Sequence, residues 1–251
     1  MRCVLDPKTE GVSIEIREIH KRLGSNQALR GASCVLSSST LHGLIGPDGA
    51  GKTTLMRILI GLLRPNQGEV IFKRAGVQVP FKDVRPHIAY MPQSQSLYSD
   101  LSVSEHLDFF RVLYDIPRAY YQERRRELLK ATDMENFASR PAGKLSGGMY
   151  KKLGLMCALL PSPEILLLDE PTTGVDPISR REFWNLLYRL LAHSPILILA
   201  STSYMDEAER CGQVHLMENG KILASGEPRA VLSSEKVDNF EALFLKRAAA
   251  V

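Results

Sequence analysis

Apolar and polar residues alternate at Val12, Ile14 and Ile16, the period of a strand with one buried face. A short apolar run at 41–45 ends in a glycine-rich turn. A helical pattern follows over about 52–63, closed by Pro65 and Gly68. Residues 69–72 and 88–91 read as further strands. From Ser94 to Pro163 the period becomes helical. Ser102 and Glu105 have the spacing of a capping box, and Leu107, Phe110, Leu113 and Tyr114 then recur on one face. A second helix with a charged outer side is expected over 121–134, and a third over 146–160, stopped by Pro161 and Pro163. Strand signals return at 165–168 and 196–200, with a helix around 180–192 between them. Residues 214–217 and 221–225 flank Asn219-Gly220, a hairpin turn signal. The segment 233–251 reads as helix.

Strands alternating with helices at both ends imply an α/β fold with a mostly parallel core. The helical stretch reads as an insertion. The expected organisation is one domain over 1–251, with an α/β core formed by 1–93 and 164–251 and a helical subdomain at 94–163. There is no internal repeat and no low-complexity segment. The 251 residues are 44% apolar and 24% charged, which excludes disordered and collagen-like classes. No apolar run approaches the roughly 20 residues that span a bilayer, and MRCVLDPKTEG has no apolar segment of a secretory signal. Cys3, Cys34, Cys157 and Cys211 are far apart and form no CxxC pair, so they fit a reducing compartment and buried packing. The net charge of +4 selects no class of partner.

Chemistry enters with Gly46-Pro47-Asp48-Gly49-Ala50-Gly51-Lys52-Thr53, which fits G-x-x-x-x-G-K-[ST] between an apolar strand and a helix. The glycines let backbone N–H groups converge on phosphate oxygens, and the helix that follows aims its positive end at the same anion. Lys52 would reach the β- and γ-phosphates, and the Thr53 hydroxyl would bind Mg²⁺. The run 165–168 ends in Asp169-Glu170. A surface turn would explain such a pair on its own. Beside a phosphate loop, Asp169 would hold Mg²⁺ and Glu170 would act as general base toward the attacking water. Leu145-Ser146-Gly147-Gly148-Met149 opens another helix with Ser146 at its cap, a second anion site made of bare N–H groups. One nucleotide site needs only one such loop, so the second is economically explained as serving a nucleotide held by another subunit.

GPDGAGKTT, LSGGM, LLLDEP and GVDP, in this order, resemble the ATPase subunits of ABC transporters over about 14–245. The run through GKLSGGM, GVDPISRRE and STSYMDEAE is especially similar to the first ATPase half of tandem-ATPase bacterial drug exporters, and a ribosome-associated ATPase also looks similar. The resemblance implies a P-loop NTPase core with an antiparallel β subdomain and the helical subdomain that carries LSGGM. It implies ATP and Mg²⁺ as ligands, with Thr54 extending the phosphate loop, and two domains meeting head to tail around each ATP. Gln93 matches the glutamine that contacts Mg²⁺ and water and links the site to the membrane partner, and Asp176 matches the loop that crosses the dimer interface. The function so implied is ATP hydrolysis that powers a membrane exporter. The subunit would be cytoplasmic, held to the inner face of a bacterial plasma membrane by a separate permease. The alternative is a ribosome-associated ATPase without a transport role.

Three positions depart from the family pattern. Ser203 stands where the family has a histidine that bonds the γ-phosphate; serine is shorter and stays neutral, which implies slow hydrolysis. Leu23 stands where an aromatic stacks on adenine, a contact worth about 1–3 kcal/mol in nucleic-acid complexes. Met149 replaces the usual glutamine after LSGG. Other features read as structural. Arg124, Arg125 and Arg126 alternate with acids on a solvated face rather than forming a nucleic-acid patch. The six histidines make no helical ligand pair, and Met56, Met91, Met156 and Trp184 read as core. DNA as partner is not expected: too few residues separate Lys52 from Ser146 for the long coiled coil of chromosome ATPases. No Asn-Lys-x-Asp motif suggests a switch GTPase.

Overall fold

The segment that alternates at the N-terminus becomes the first strand of an antiparallel sheet, and the apolar runs become a second, mostly parallel sheet. The structure, a computed structural model, describes residues 11–94 and 97–248. Cys3, Gln95, Ser96 and the last three residues of the expected C-terminal helix lie outside the described residues. The strands are β1 (Val12–Leu23), β2 (Asn26–Ser37), β3 (Thr40–Ile45), β4 (Gln67–Arg74), β5 (Val77–Val79), β6 (Ile88–Met91), β7 (Ile165–Asp169), β8 (Leu197–Thr202), β9 (Gln213–Glu218) and β10 (Lys221–Gly226). The helices are α1 (Lys52–Leu59), α2 (Phe81–Val84), α3 (Val103–Leu113), α4 (Arg118–Ala131), α5 (Gly147–Leu159), α6 (Pro177–His193), α7 (Met205–Ala208), α8 (Pro228–Glu235) and α9 (Phe240–Ala248).

One sheet runs β2-β1-β4-β5 and is antiparallel; the other runs β10-β9-β3-β8-β7-β6, parallel except for β10. Residue parity in the central strands separates two cores, as a period of two requires. Leu166 and Leu168 of β7, with Ile198 and Ala200 of β8, pack toward α3, α5 and α6. Ile165, Leu167, Leu197 and Leu199 point the other way, against Leu55 and Met56 of α1 and Ile14, Ile16 and Leu29 of the antiparallel sheet. The parallel sheet is thus covered on both faces, which accounts for the unbroken apolar run of β7. Helices α3, α4 and α5 lie between β6 and β7 in the chain. Their buried Leu107, Leu128 and Leu155, with Met134 after α4, share one core with that sheet face.

Most expected elements form, with instructive differences. The capping box is present: Ser102 Oγ accepts from the Glu105 N–H, and Glu105 accepts from the Ser102 N–H at 2.7 Å. The helix expected over 52–63 ends at Leu59, because Gly61 takes a left-handed conformation (φ 75°) and stops it, leaving Leu62 exposed. Leu113, expected on the buried face of α3, is exposed at the helix end. The C-terminal helix is two helices, broken where Lys236 adopts φ 56°. Strand β2 has no counterpart in the periodicity reading. It follows β1 through register shifts near Glu18, whose φ is 45° and whose N–H is held by Ser33 Oγ at 2.8 Å.

The parallel sheet also buries a histidine pair. His42 of β3 and His215 of β9 stack with ring centroids 5.3 Å apart, and His42 Nδ1 lies 3.1 Å from His215 Nε2. Ser225 Oγ is 2.9 Å from His215 Nδ1. Burial, and then the neighbouring His42, push the pKa of His215 down to about 3 from the ordinary 6.5; burial also lowers that of His42. The unfolded chain therefore takes up protons below pH 6.5 that the folded protein refuses, and stability is lost as pH falls from there toward 3. His215 alone contributes a loss of about 2 kcal/mol between pH 7 and pH 5. Urea denaturation at the two pH values should record that drop, and His215→Gln should flatten it.

Candidate functional site

Strands β3, β8 and β7 are parallel neighbours, so the loops after Ile45, Thr202 and Asp169 emerge side by side at one edge of the sheet. The loop from Gly46 to Thr53 leaves β3 and enters α1. Gly46 donates its N–H to Thr202 O at 3.3 Å, and a Cβ at this position would lie 2.1 Å from Met217 O, so no other residue fits. Gly49 and Gly51 have φ of 78° and 108°. From the far side the loop is latched by the β9–β10 turn: Gly220 donates to Ala50 O at 2.9 Å and accepts from the Arg30 N–H at 2.8 Å. No side chain caps the N-terminus of α1, which leaves its first N–H groups for an anion. Pro47, Asp48 and Gly49 are exposed; Thr53 and Thr54 are half-buried.

Lys52 is only 5% exposed. Its Nζ donates to Gly46 O at 2.7 Å and Pro47 O at 3.1 Å, and lies 3.2 Å from Glu170 Oε1. Asp169, at the end of β7 and 1% exposed, collects donors from three directions. Thr53 Oγ1 donates to its Oδ1 at 3.1 Å, Ser201 Oγ to the same atom at 2.8 Å, and the Tyr90 hydroxyl to Oδ2 at 3.0 Å. Burial, and then the Asp169 charge, hold the Tyr90 phenol protonated well above its ordinary range. The next residue, Glu170, has φ 46°, a left-handed conformation that costs a non-glycine residue about 1–3 kcal/mol. Its Oε2 accepts from Gln93 Nε2 at 2.9 Å and Thr173 Oγ1 at 3.1 Å, and its N–H donates to Ser201 Oγ at 3.0 Å. Lys151 Nζ donates to Gln93 O at 3.3 Å; burial lowers its pKa, and the charges of Glu170 and Asp169 act in the opposite sense.

Lys52, Thr53, Gln93, Asp169 and Glu170 thus share one network with the glycine loop. Tyr90, Ser201, Thr173 and Lys151 belong to it as well, although no motif singles them out. Tyr90 sits within Tyr90-Met91-Pro92-Gln93, but its role depends on β6 pairing with β7, and that of Ser201 on its standing opposite Asp169 in the β7–β8 register. Ser203 follows β8, half-buried, and its hydroxyl makes no hydrogen bond among the described residues. Leu23 ends β1 and is 41% exposed.

The other candidates form a second group. Ser146 caps α5, its Oγ accepting from the Met149 N–H at 3.3 Å. A Cβ on Gly148 would lie 2.4 Å from Ser179 Cβ, and one on Gly147 3.5 Å from Gly174 O, so this helix start packs beside the start of α6. There Asp176 caps α6, accepting from the N–H groups of Ser179 and Ile178 at 3.0 and 3.1 Å, which lowers its pKa. Ser146, Gly147 and Asp176 are exposed, and no hydrogen bond joins them to the glycine loop among the described residues.

Chemically, the first group offers an N–H cradle, an ammonium, a hydroxyl and carboxylate pair of hard oxygens, and a second carboxylate that could accept a proton. Comparison with known proteins gives the family. Residues 29–173 match the family described as "ABC transporter". The chain is 48% identical over 200 residues to "Probable multidrug ABC transporter ATP-binding protein YbhF" of Escherichia coli, which covers 79% of this chain and 34% of that protein. It is 36% identical over 223 residues to "Nod factor export ATP-binding protein I" of Burkholderia lata, covering 88% of this chain and 73% of the relative. The chain spans about a third of the length of the YbhF proteins it matches. A solved ATP-binding subunit of an ABC transporter superposes with a TM-score of 0.79 at 27% identity, over 93% of this chain and 98% of that one. The ADP conformation of MJ1267, an ATP-binding cassette of an ABC transporter, superposes at 0.77 with 26% identity, over 92% and 97%. The fold is that of ABC ATPases, a P-loop NTPase core with an added antiparallel sheet and helical insertion, and the chain belongs to the ABC transporter family as an ATP-binding domain.

Proposed function

We propose that this domain binds and hydrolyses ATP to drive an export-type membrane transporter. The observation that carries the reading is the convergence of Lys52, Thr53, Gln93, Asp169 and Glu170 at one edge of the parallel sheet. In it the loop 46–54 receives the phosphates through backbone N–H groups and the Lys52 ammonium. Thr53, Asp169 and Gln93 supply the oxygen donors that suit Mg²⁺, and their chemistry fits that ion. When bound, Mg²⁺ would neutralise charge on the phosphates. Glu170, bonded by Gln93 and Thr173, takes the proton of the attacking water as the water oxygen bonds the γ-phosphorus and the bond to the β-phosphate oxygen breaks.

The separation of Ser146, Gly147, Gly148 and Asp176 from that edge supports a head-to-tail dimer, in which they complete the site of a second domain. The range 94–163 is read as the subdomain that presents Ser146, Gly147 and Gly148. A face of this subdomain supports a membrane permease as partner: Tyr98, Phe109, Val112 and Leu113 are exposed, Val112 at 65%. No helix among the described residues is long and apolar enough to cross a membrane. The spanning part is assigned to a separate segment or chain, with this domain on the cytoplasmic face. The transport names of the relatives favour this reading over the ribosome-associated one.

Glu170→Gln should lower Mg²⁺-dependent ATP hydrolysis by about 10²-fold or more while leaving ATP binding within a few-fold, measured by phosphate release and equilibrium binding. Ser203→His should raise turnover in a verified dimer, since imidazole reaches further and can carry charge; unchanged turnover would show that serine does not limit the step. Leu23→Tyr should tighten ATP binding and increase its preference over GTP by roughly tenfold, read by competition, in line with the 1–3 kcal/mol of a base stack.

A further inference from the structure

Glu207 lies in the short helix α7, is 0% exposed, and has no part in the nucleotide groups described above. A carboxylate withdrawn from water must be matched by donors, and its donors come from three separate elements. Thr202 Oγ1, at the end of β8, donates to Oε2 at 2.6 Å. Thr172 Oγ1, in the turn after Glu170, donates to Oε1 at 2.6 Å, and Trp184 Nε1 of α6 to the same atom at 3.0 Å. Arg180 of α6 brackets the group. Its Nε is 3.7 Å from Glu207 Oε1, its guanidinium stands 4.3 Å from the centre of the Tyr204 ring, and a terminal nitrogen reaches Asp206 at 3.4 Å.

Each threonine passes the constraint on. With its proton on Glu207, Thr202 Oγ1 accepts the Tyr204 N–H at 3.0 Å and bends the chain at Ser203 into a tight turn. Thr172 accepts the Val175 N–H through its carbonyl at 3.1 Å. Its neighbour Thr173 donates its N–H to Glu170 O at 3.3 Å and its hydroxyl to the Glu170 carboxylate. Lys52 and the glycine loop make no hydrogen bond with Glu207 among the described residues.

We infer that Glu207 is a positioning residue which locks the turn carrying Glu170 to the turn carrying Ser203, so that hydrolysis depends on it and nucleotide binding does not. The inference rests on the hydrolytic reading of Glu170. Glutamine at 207 keeps the shape; with its oxygen at the Oε1 position it retains Thr172 and Trp184, and its N–H₂ group faces the Thr202 hydroxyl, so that bond is the one lost.

The test uses the full chain with Glu207→Gln, Thr172→Val, Thr202→Val and the double variant Glu207→Gln/Thr202→Val. Glu170→Gln serves as the reference. Turnover should fall about tenfold or more in Glu207→Gln and less in each valine variant, as expected when reacting groups are misplaced. ATP affinity measured without Mg²⁺ should stay within about threefold. The double variant should be no slower than Glu207→Gln alone, because both changes remove one shared bond. In the nucleotide-free protein, amide exchange at Tyr204 and Val175 should quicken together. Unchanged turnover in all three single variants, beside an inactive Glu170→Gln, overturns the inference. So do turnover and affinity falling in parallel, or strictly additive losses in the double variant. If Glu207→Gln does not fold, the two valine variants decide by the same criteria. A Glu170→Gln protein as fast as the parent would instead remove the hydrolytic reading, and the inference with it.

Discussion

The site is organised around a carboxylate that has nowhere to go. Asp169 ends the most buried strand of the protein, and burial without partners would cost it several kcal/mol. Its partners arrive from β6, from β8 and from the first turn of α1. Satisfying one acid therefore fixes the relative position of three elements. The same contacts align the glycine loop with the strand edge, which is why that loop and the two carboxylates occupy one small volume.

The two-sided burial of the parallel sheet is the second constraint. Because alternate residues of β7 and β8 feed different cores, neither face can shift without disturbing the other. The strand ends are held rigidly, and the left-handed backbone of Glu170 is sustained by this frame and by its bonds to Ser201 and Thr173. Strain at such a place is stable only where its surroundings over-determine it.

Much of this was legible in the residues. The glycine loop between β3 and α1, the capping box at Ser102 and the Asn219-Gly220 turn are local chemistry, and local chemistry survives folding with little dependence on context. The limits of legibility are equally physical. Strand β2 reads NQALRGASCVLS, without clean alternation, because it follows β1 through irregular pairing and Gly31 there has φ 91°. Tyr90 and Ser201 become site residues only through strand register, which no pattern within one segment encodes. The end of α1 depended on the left-handed glycine at 61, where helical periodicity alone runs on. Glu207 stands in STSYMDEAE, where no pattern marks it for burial, and its burial emerges only once Trp184 and Arg180 of α6 cover it.

The latch on the glycine loop ties the order of synthesis to the appearance of the site. Met217 and Gly220, which shape that loop and hold Ala50, lie far along the chain from Gly46. A nascent chain emerging N-terminus first carries the whole glycine loop long before it carries the turn that braces it. In the early stages of folding the glycine loop therefore stands unbraced. The bracing of the loop is complete only when β9 and β10 close against β3 and β2.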